Sequence, residues 1–519
     1  MIRRVVLCLL VCLITSFIDW RRLSADEVAR SESTPIELLF LAGERPSRLA
    51  LTVTLDGQLI DEMWNETFRR LFYILDRDGN QSLDEAEAGR LPASFTVRQI
   101  AWGRFAPPSA RTLKLSDLDF DANGVVSSDE MRTYYRRAGL GRVLVGVGKT
   151  SAIGLLTDAL LKSLDGNQDG QVDGAEWKSA RDLIDRLDAN DDERINPQEL
   201  VAQVTYPGAV GSLFLRPTRS GETPDPLIAE LPFVLVPPWD SPEQWAAEFA
   251  GKVDAKQRNS FDDQQIITAL TDPPAWTWSV SIASSHDAAS SSPTKDRAAS
   301  STSQHQCDAG LVRFILRSDE GKLSAQTVEM KKTFESLFIE CDTNSDGCVD
   351  QPELAAPRSR TLKPIAAIAD RDSDEILTRV EFDEWLTLWT QLAKGQVLLT
   401  IVDHGCGLFE FLDGDHDGAL SSRELRTAYD RLREAGCFDD EKLDRTRLPR
   451  HLLAVISHGH PVSPLGQPAR RGPDWFLAMD RNQDGDVSRT EFAGTKSQFK
   501  KLDQNRDGFL DSEEVEQQP

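Results

Sequence analysis

Apolar residues recur with helical spacing at corresponding places in the two halves of the chain. An i, i+3, i+4, i+7 pattern places such residues on one face of an α-helix. Two segments carry it, Phe68, Leu71, Phe72 and Leu75 in the first half and Phe334, Leu337, Phe338 and Cys341 in the second. A strand-like segment precedes each, LALTVTLDGQL from Leu49 and VRFILRSDEGKL from Val312. The pattern therefore indicates a duplicated chain, each half opening with a strand and continuing into helices.

Each of these two helices leads into an acidic stretch of twelve residues, and nine such stretches occur along the chain. All nine have Asp at position 1, Asp or Asn at positions 3 and 5, and Glu at position 12. Acidic segments rich in Asn and Gly are often solvated turns. That explanation does not account for position 8, which is apolar in every stretch: Leu83, Val126, Val172, Ile195, Val349, Leu377, Leu420, Val487 and Leu510.

The spacing of oxygen atoms in these stretches matches the requirements of calcium. The ion takes about six to eight oxygen ligands, and an EF-hand loop supplies them from positions 1, 3, 5, 7, 9 and 12. Position 7 contributes its backbone carbonyl, and the glutamate at position 12 is expected to bind with both oxygens. In the first half the predicted ligands are Asp76, Asp78, Asn80, Ser82, Asp84, Glu87, Asp119, Asp121, Asn123, Val125, Ser127, Glu130, Asp165, Asn167, Asp169, Gln171, Asp173, Glu176, Asp188, Asn190, Asp192, Arg194, Asn196 and Glu199. In the second half they are Asp342, Asn344, Asp346, Cys348, Asp350, Glu353, Asp370, Asp372, Asp374, Ile376, Thr378, Glu381, Asp413, Asp415, Asp417, Ala419, Ser421, Glu424, Asp480, Asn482, Asp484, Asp486, Ser488, Glu491, Asp503, Asn505, Asp507, Phe509, Asp511 and Glu514.

Position 6 separates the loops into two groups. The backbone turns sharply there, and a positive φ costs a residue other than glycine about 1 kcal/mol. Six loops have Gly at this position, whereas Gln81, Glu193 and Glu375 occupy it in the other three. We expect these three loops to be strained and to bind calcium more weakly.

The intervals between loops predict which loops pair through position 8. The Asp165 and Asp188 loops are separated by 11 residues, and so are the Asp480 and Asp503 loops. At ~1.5 Å per residue, one helix of about three turns fits this interval, so each of these pairs is expected to be compact and to share a helix. The Asp413 loop has no complete successor before Asp480, and residues 436–455 are interpreted as its ion-free partner.

The N-terminus and the charge bear on the compartment and on the partners. Residues 1–25 have the layout of a secretory signal, with an apolar run too short to span a bilayer. We expect cleavage after Ala25 and no membrane span in the exported chain. The net charge is −25, and cleavage would leave about −28 because four Arg and one Asp are removed. Such a charge disfavours a nucleic-acid partner and fits bound divalent ions.

Other polar and aromatic residues give less definite signals. Cys307, Cys341, Cys348, Cys406 and Cys437 would either form two disulfides with one thiol left over or remain free. Trp276 and Trp278 either pack on a neighbouring domain or form a binding surface. His458 and His460 are expected in a surface loop. The chain contains no nucleophile elbow, Walker loop, dinucleotide fingerprint or zinc-type spacing.

These loops, the signal segment and the duplicated layout resemble bacterial secreted multi-EF-hand calcium-binding proteins, over about residues 40–205 and 310–519. The resemblance implies Ca²⁺ as the cofactor and helical paired hands. We therefore expect a mainly α fold with two lobes of paired EF-hands and short β-strand segments before each lobe. The expected divisions are a signal peptide (1–25), an N-terminal lobe (26–206), a Pro-rich and Ser/Ala-rich connecting region (207–306) and a C-terminal lobe (307–519).

The expected function is calcium binding by an exported, non-enzymatic protein with a structural, buffering or adhesive role in the cell envelope. Its partners would be calcium ions and possible envelope or extracellular proteins. A second hypothesis is a calcium sensor that exposes an apolar groove to a partner helix. A Met-rich groove would favour this hypothesis, but the whole chain has only five Met. A third is an enzyme within residues 207–306, a segment short for a catalytic domain.

Overall fold

The computed structural model describes residues 34–105, 113–206, 230–236, 249–250, 253, 261–283, 304–462 and 472–516. The predicted signal peptide and most of the predicted connecting region lie outside these residues. The strands are β1 Ile36–Phe40, β2 Ser47–Leu55, β3 Gln58–Leu59, β4 Val143–Lys149, β5 Arg194–Ile195, β6 Phe233–Val236, β7 Trp276–Ile282, β8 His305–Ala309, β9 Val312–Asp319, β10 Cys348–Val349, β11 Leu377–Thr378, β12 Val397–Gly405, β13 Leu420–Ser421, β14 Phe438–Asp439, β15 Lys442–Leu443, β16 Arg450–Ser457, β17 Val487–Ser488 and β18 Phe509–Leu510.

The helices of the described residues are mostly short and lie on either side of the acidic loops. They are α1 Ile60–Leu75, α2 Glu85–Ala88, α3 Ser94–Ala101, α4 Ser128–Arg137, α5 Ile153–Leu164, α6 Gly174–Lys178, α7 Ile184–Leu187, α8 Pro197–Leu200, α9 Asp263–Thr271, α10 Leu323–Cys341, α11 Gln351–Leu354, α12 Lys363–Ala369, α13 Arg379–Lys394, α14 Leu408–Leu412, α15 Ser422–Glu434, α16 Asp474–Met479, α17 Lys496–Leu502 and α18 Ser512–Glu516. Four 3₁₀ turns add to these, at Leu115–Asp117, Ala180–Leu183, Pro357–Arg360 and Arg445–Arg447.

The expectation of a mainly α fold is wrong, because the described residues also form two five-stranded sheets. One sheet has the order β3-β2-β1-β6, with β7 pairing in parallel to β2. The other is mixed, in the order β4-β12-β16-β9-β8. Strands β12 and β16 are almost entirely buried, and their central residues are mostly apolar without the alternation that marks a half-buried strand. That is why the pattern of the sequence did not reveal them.

The two halves of the chain are joined through the sheets. Strand β4 comes from the first half of the chain and pairs in parallel with β12 from the second half. Strands β6 and β7, which lie within the predicted connecting region, belong to the first sheet. The two sheets also pack face to face, with the rings of Phe40 and Phe314 5.3 Å apart. Both halves therefore contribute strands to the mixed sheet, on which the first sheet packs.

Three further expectations are decided by packing among the described residues. Trp278 stacks on the ring of His305 at 5.2 Å, and Trp276 packs on Phe40, so both tryptophans belong to the core between the sheets. His458 is buried, in contact with the Ser324 hydroxyl, so the expectation of a surface loop there is wrong. The five cysteines named above all have free thiols.

The helices around the acidic loops bury their apolar faces in three cores. The larger core joins the hands of the Asp76 and Asp119 loops to those of the Asp342 and Asp370 loops, and it contains Trp64 of α1 and Trp385 of α13. A second core surrounds the Asp165, Asp188 and Asp413 loops. A third, small core lies within residues 476–515. No helix among the described residues is both long and apolar enough to cross a membrane.

Candidate metal centres

Hydrogen bonds close all nine loops in the same way. One oxygen of the glutamate at position 12 accepts the backbone N–H of position 2 at 2.5–2.9 Å. Its other oxygen accepts the N–H of position 9 at 2.8–3.3 Å. The glutamate thus joins the start of each loop to its end and directs both carboxylate oxygens toward the loop.

The carboxylates and amides at positions 1 and 5 are held by backbone N–H groups in a similar way. The oxygen at position 5 accepts the N–H of position 7 at 2.8–3.0 Å in every loop. In eight loops the aspartate at position 1 accepts the N–H of position 6 at 2.8–3.2 Å. The ligand groups are therefore preorganised by the loop backbone.

The residues that close a loop also start the helix that follows it. In seven loops the side chain at position 9 and the glutamate at position 12 form a capping box on the exiting helix. A capping box satisfies two backbone N–H groups at a helix N-terminus that would otherwise lack partners. The end of each of these loops and the start of the following helix therefore depend on the same two residues, at positions 9 and 12.

The backbone conformation supports the prediction about position 6. Gln81, Glu193 and Glu375 have φ of 65°, 59° and 66°, in the left-handed region that disfavours residues other than glycine. Sequence reasoning missed a second such position. The residue at position 4 also has positive φ in every loop, and it is Gly in the Asp76 loop alone.

Pairing of the loops differs from the sequence prediction in one region. The residues at position 8 are buried in all nine loops. Leu83 bonds with Val126, Val349 pairs with Leu377, and Val487 pairs with Leu510, so the last pair is as predicted. The Asp188 loop, however, pairs with the Asp413 loop rather than with the Asp165 loop.

The partner of the Asp165 loop is the β14–β15 hairpin, through an antiparallel bridge between Asp173 and Lys442. Residues 436–455 thus do supply a segment without a complete loop, but its partner is not the Asp413 loop. Both the Asp165 loop and the Asp188 loop of the first half therefore pair with segments of the second half, and not with each other. The short helical segments between Asp165 and Asp188 accommodate this because they turn through a 3₁₀ segment, Ala180–Leu183.

The donor set fits a hard divalent cation. Three carboxylate groups place oxygens within 4.8 Å of one another in four loops, with the clusters Asp76, Asp78, Glu87; Asp119, Asp121, Glu130; Asp370, Asp372, Asp374; and Asp413, Asp415, Glu424. Carboxylate and carbonyl oxygens are the ligands that calcium prefers. A cation would also relieve the repulsion among these like charges.

Burial makes the Asp413 loop electrostatically distinct from the Asp342 loop. Burial, and then the charge of Asp415, raise the pKa of Glu424 to about 7. Burial and the charges of Glu424 and Asp415 raise the pKa of Asp413 as well. In the Asp342 loop burial acts in the same direction on Glu353, but backbone N–H donors outweigh it and lower the pKa of that group. Protons therefore compete with a cation more strongly in the Asp413 loop.

Comparison with protein families supports this assignment in four places. The family model described as EF hand matches residues 157–179, 407–428, 474–493 and 495–517, which contain the Asp165, Asp413, Asp480 and Asp503 loops. The chain is an EF-hand domain-containing protein. EF-hand domains generally bind calcium, so the matches indicate calcium binding. Neither the curated proteins nor the solved structures include a match to the chain.

Two arginine side chains make contacts with loop carboxylates that the sequence did not predict. The guanidinium of Arg194, at position 7 of its own loop, contacts the carboxylate of Asp417 at position 5 of the partner loop. Arg426 on α15 contacts Asp507, at position 5 of the Asp503 loop, at 2.9 Å. Helical periodicity and loop spacing carry no signal for these contacts, because each joins segments that are distant in sequence.

Proposed function

We propose that this EF-hand protein is an exported, non-enzymatic calcium-binding protein in which all nine loops take Ca²⁺ and the bound ions stabilise the fold. The observation that carries the proposal is the shared closure of the loops by the glutamate at position 12. A loop that lacked a function as a cation site would have no reason to keep that geometry in nine copies. The paired carboxylates are all accounted for as ligands, so the proposal assigns them no catalytic role.

The packing supports a structural role for calcium more than a sensory one. A sensor hand opens an apolar groove for a partner helix. Here the apolar faces around the Asp76 and Asp119 loops are buried against those around the Asp342 and Asp370 loops, with Trp64 and Trp385 in one core. The apolar faces that a sensor would offer to a partner helix are thus already covered by helices of the same chain.

Charge gives the ions their stabilising effect. The chain has 84 acidic and 59 basic residues, and many of the acidic ones are gathered in the loops. Without cations these carboxylates repel one another and oppose compaction. Because the Asp188 and Asp413 loops belong to different halves of the chain, ions in this pair would also hold the two halves together.

The signal-like segment at residues 1–25 supports export, so we propose an envelope or extracellular location. Calcium sites of extracellular modules are typically weak and remain filled. A structural, buffering or adhesive role follows from such sites more readily than a switch. Protein partners at the envelope are part of this proposal.

A calcium titration of the purified protein tests the proposal. Calorimetry should detect calcium binding. Because the ligand binds the folded state, the free energy of unfolding should rise by about 2.7 kcal/mol for a site at a hundredfold excess over Kd, and the melting temperature should rise with it. Magnesium at equal concentration is the control for ionic strength and charge. An unchanged melting temperature between chelator and millimolar calcium would contradict the proposal.

An apolar dye distinguishes the structural role from the sensor. If calcium compacts the fold, dye binding should fall and the hydrodynamic radius should shrink when calcium is added to the metal-free protein. A rise in dye binding at constant helical content would favour the sensor instead.

A further inference from the structure

The last two loops dock on helix α15, which exits the Asp413 loop, through arginines on that helix. Arg426 bonds both the side chain of Asp507 at 2.9 Å and its backbone carbonyl at 3.0 Å. The same guanidinium lies 4.5 Å from the ring centre of Phe509. One turn earlier, Arg423 contacts Asp486 at 3.0 Å and Asp511 at 3.7 Å. The docking surface of the terminal pair thus consists largely of loop residues.

Arg194 makes an equivalent contact between the Asp188 loop and the Asp413 loop. Its side chain contacts the carboxylate of Asp417 and also donates to the backbone carbonyl of Asn482 at 3.0 Å. The side chains of Arg194 and Asp417 are 16% and 7% exposed, so water screens this contact little. Arginines therefore connect the Asp188 loop to the Asp413 loop, and helix α15 to the Asp503 loop.

These two contacts fall on a ligand, since position 5 supplies a side-chain oxygen to the ion. Among the described residues, no other carboxylate at position 5 forms an ion pair with Arg or Lys. Asp169 and Asp346 provide matched examples of the same position without a guanidinium. The difference separates the Asp413 and Asp503 loops from loops of nearly the same sequence.

A guanidinium at this place would act on calcium in two opposite ways. It steadies the carboxylate, which favours binding, and it places a positive charge beside a divalent cation, which opposes binding. At a separation of about 5 Å, Coulomb's law gives a loss of affinity on the order of tenfold even when the contact is well solvated. Steadying one carboxylate that the N–H of position 7 already holds gains less. Repulsion therefore outweighs preorganisation.

We propose that Arg194 and Arg426 lower the calcium affinity of the Asp413 and Asp503 loops, so that these two sites fill last. The proposal rests on the proposed calcium binding and adds to it an order of filling. Because coupling between two processes is reciprocal, calcium in the Asp503 loop weakens the contact with Arg426. The docking of the terminal pair, residues 472–516, thereby becomes sensitive to high calcium concentration.

Equilibrium dialysis of the full-length protein with calcium tests this order. Arg426→Gln removes the charge and should strengthen one site about tenfold, whereas Arg426→Lys keeps the charge and should bind like the parent. Arg433→Gln, on an exposed position of the same helix, is the matched control and should change nothing. Arg194→Gln should strengthen one further site.

A second substitution assigns each effect to its loop. Glu514→Gln removes the ligand at position 12 of the Asp503 loop, so adding Arg426→Gln to it should have no further effect on the isotherm. Melting curves in chelator establish that each variant is folded. If Arg426→Gln weakened a site, or left the isotherm unchanged while Glu514→Gln deleted one, the proposal would be overturned. Absence of calcium binding in the parent protein would instead refute the proposed function.

Discussion

Ile195 and Leu420 face each other across a two-residue antiparallel contact, although about 225 residues separate them in sequence. Both side chains are fully buried. The contact joins the Asp188 loop of the first half to the Asp413 loop of the second. Loops paired in this way transmit changes in one site to the other through the shared backbone contact. The pairing of loops from different halves therefore decides which calcium sites are coupled.

Glu199→Gln should weaken calcium binding at two sites, the Asp188 loop directly and the Asp413 loop through their contact. The substitution removes a charge and a bidentate ligand at position 12. Calorimetric titration of the full-length variant measures both losses. Glu176→Gln, the same change in the Asp165 loop, should leave the Asp188 site as it was. If Glu176→Gln weakened the Asp188 site instead, pairing within the first half would be correct.

Gln81→Gly should strengthen the Asp76 site. The residue has φ of 65°, and glycine relieves about 1 kcal/mol of backbone strain in that region, which corresponds to about a fivefold gain in affinity if the strain falls mainly on the ion-bound loop. Calcium titration and melting temperature both report the change. Gly124→Ala in the paired loop is the reciprocal control and should weaken its site. Equal affinities for Gln81→Gly and the parent would show that the strain is the same with and without the ion.

Calcium affinity of the Asp413 loop should depend on pH near neutrality. Burial and the charge of Asp415 raise the pKa of Glu424 to about 7, and the ion binds the carboxylate form. Lowering the pH from 7 to 6 should therefore weaken this site about fivefold through proton competition. The Asp342 loop should be unaffected, because the pKa of Glu353 is lowered despite its burial. Titrations at both pH values, with Glu424→Gln to identify the site, measure the difference.

Stability of the metal-free protein should fall as pH rises from 6.5 to 8. Glu410 on α14 is 1% exposed, and burial raises its pKa to about 8 from 4.5. The folded protein therefore holds a proton that the unfolded chain has lost, and the stability from this group decreases by about 1.4 kcal/mol per pH unit until pH 8. Denaturant unfolding across this range measures the slope. Glu410→Gln should flatten it, and an identical slope in the variant would show that this carboxyl stays ionised.

The loops could be recognised from the sequence because their chemistry is local. The glutamate at position 12 contacts backbone groups three and ten residues earlier, as Glu87 does with Asp84 and Arg77. Short-range geometry of this kind depends on residue type and spacing alone. The apolar residue at position 8, such as Leu83, can likewise be recognised from its place in the loop alone.

The sheets and the pairing of loops between the two halves could not be recognised in the same way. Strand β12 begins with a mostly apolar run, and which neighbours it takes depends on chain segments from both halves, β4 and β16. An apolar residue at position 8 likewise requires a partner without specifying which one. The interval between the Asp165 and Asp188 loops favours a local pair, but burial of Ile195 against Leu420 in a larger core overrides that preference.

Residue types and their spacing thus fix the nine oxygen-rich loops, the helix starts beside them and the buried position in each, because these features depend on contacts within about a dozen residues. The choice among equivalent apolar partners is made only when the whole chain folds. The same is true of the β-sheets that both halves build and of the contact between Arg426 and Asp507. Hydrophobic burial is non-directional. It rewards any contact that removes apolar surface from water, and the best set of such contacts emerges when the whole chain packs together.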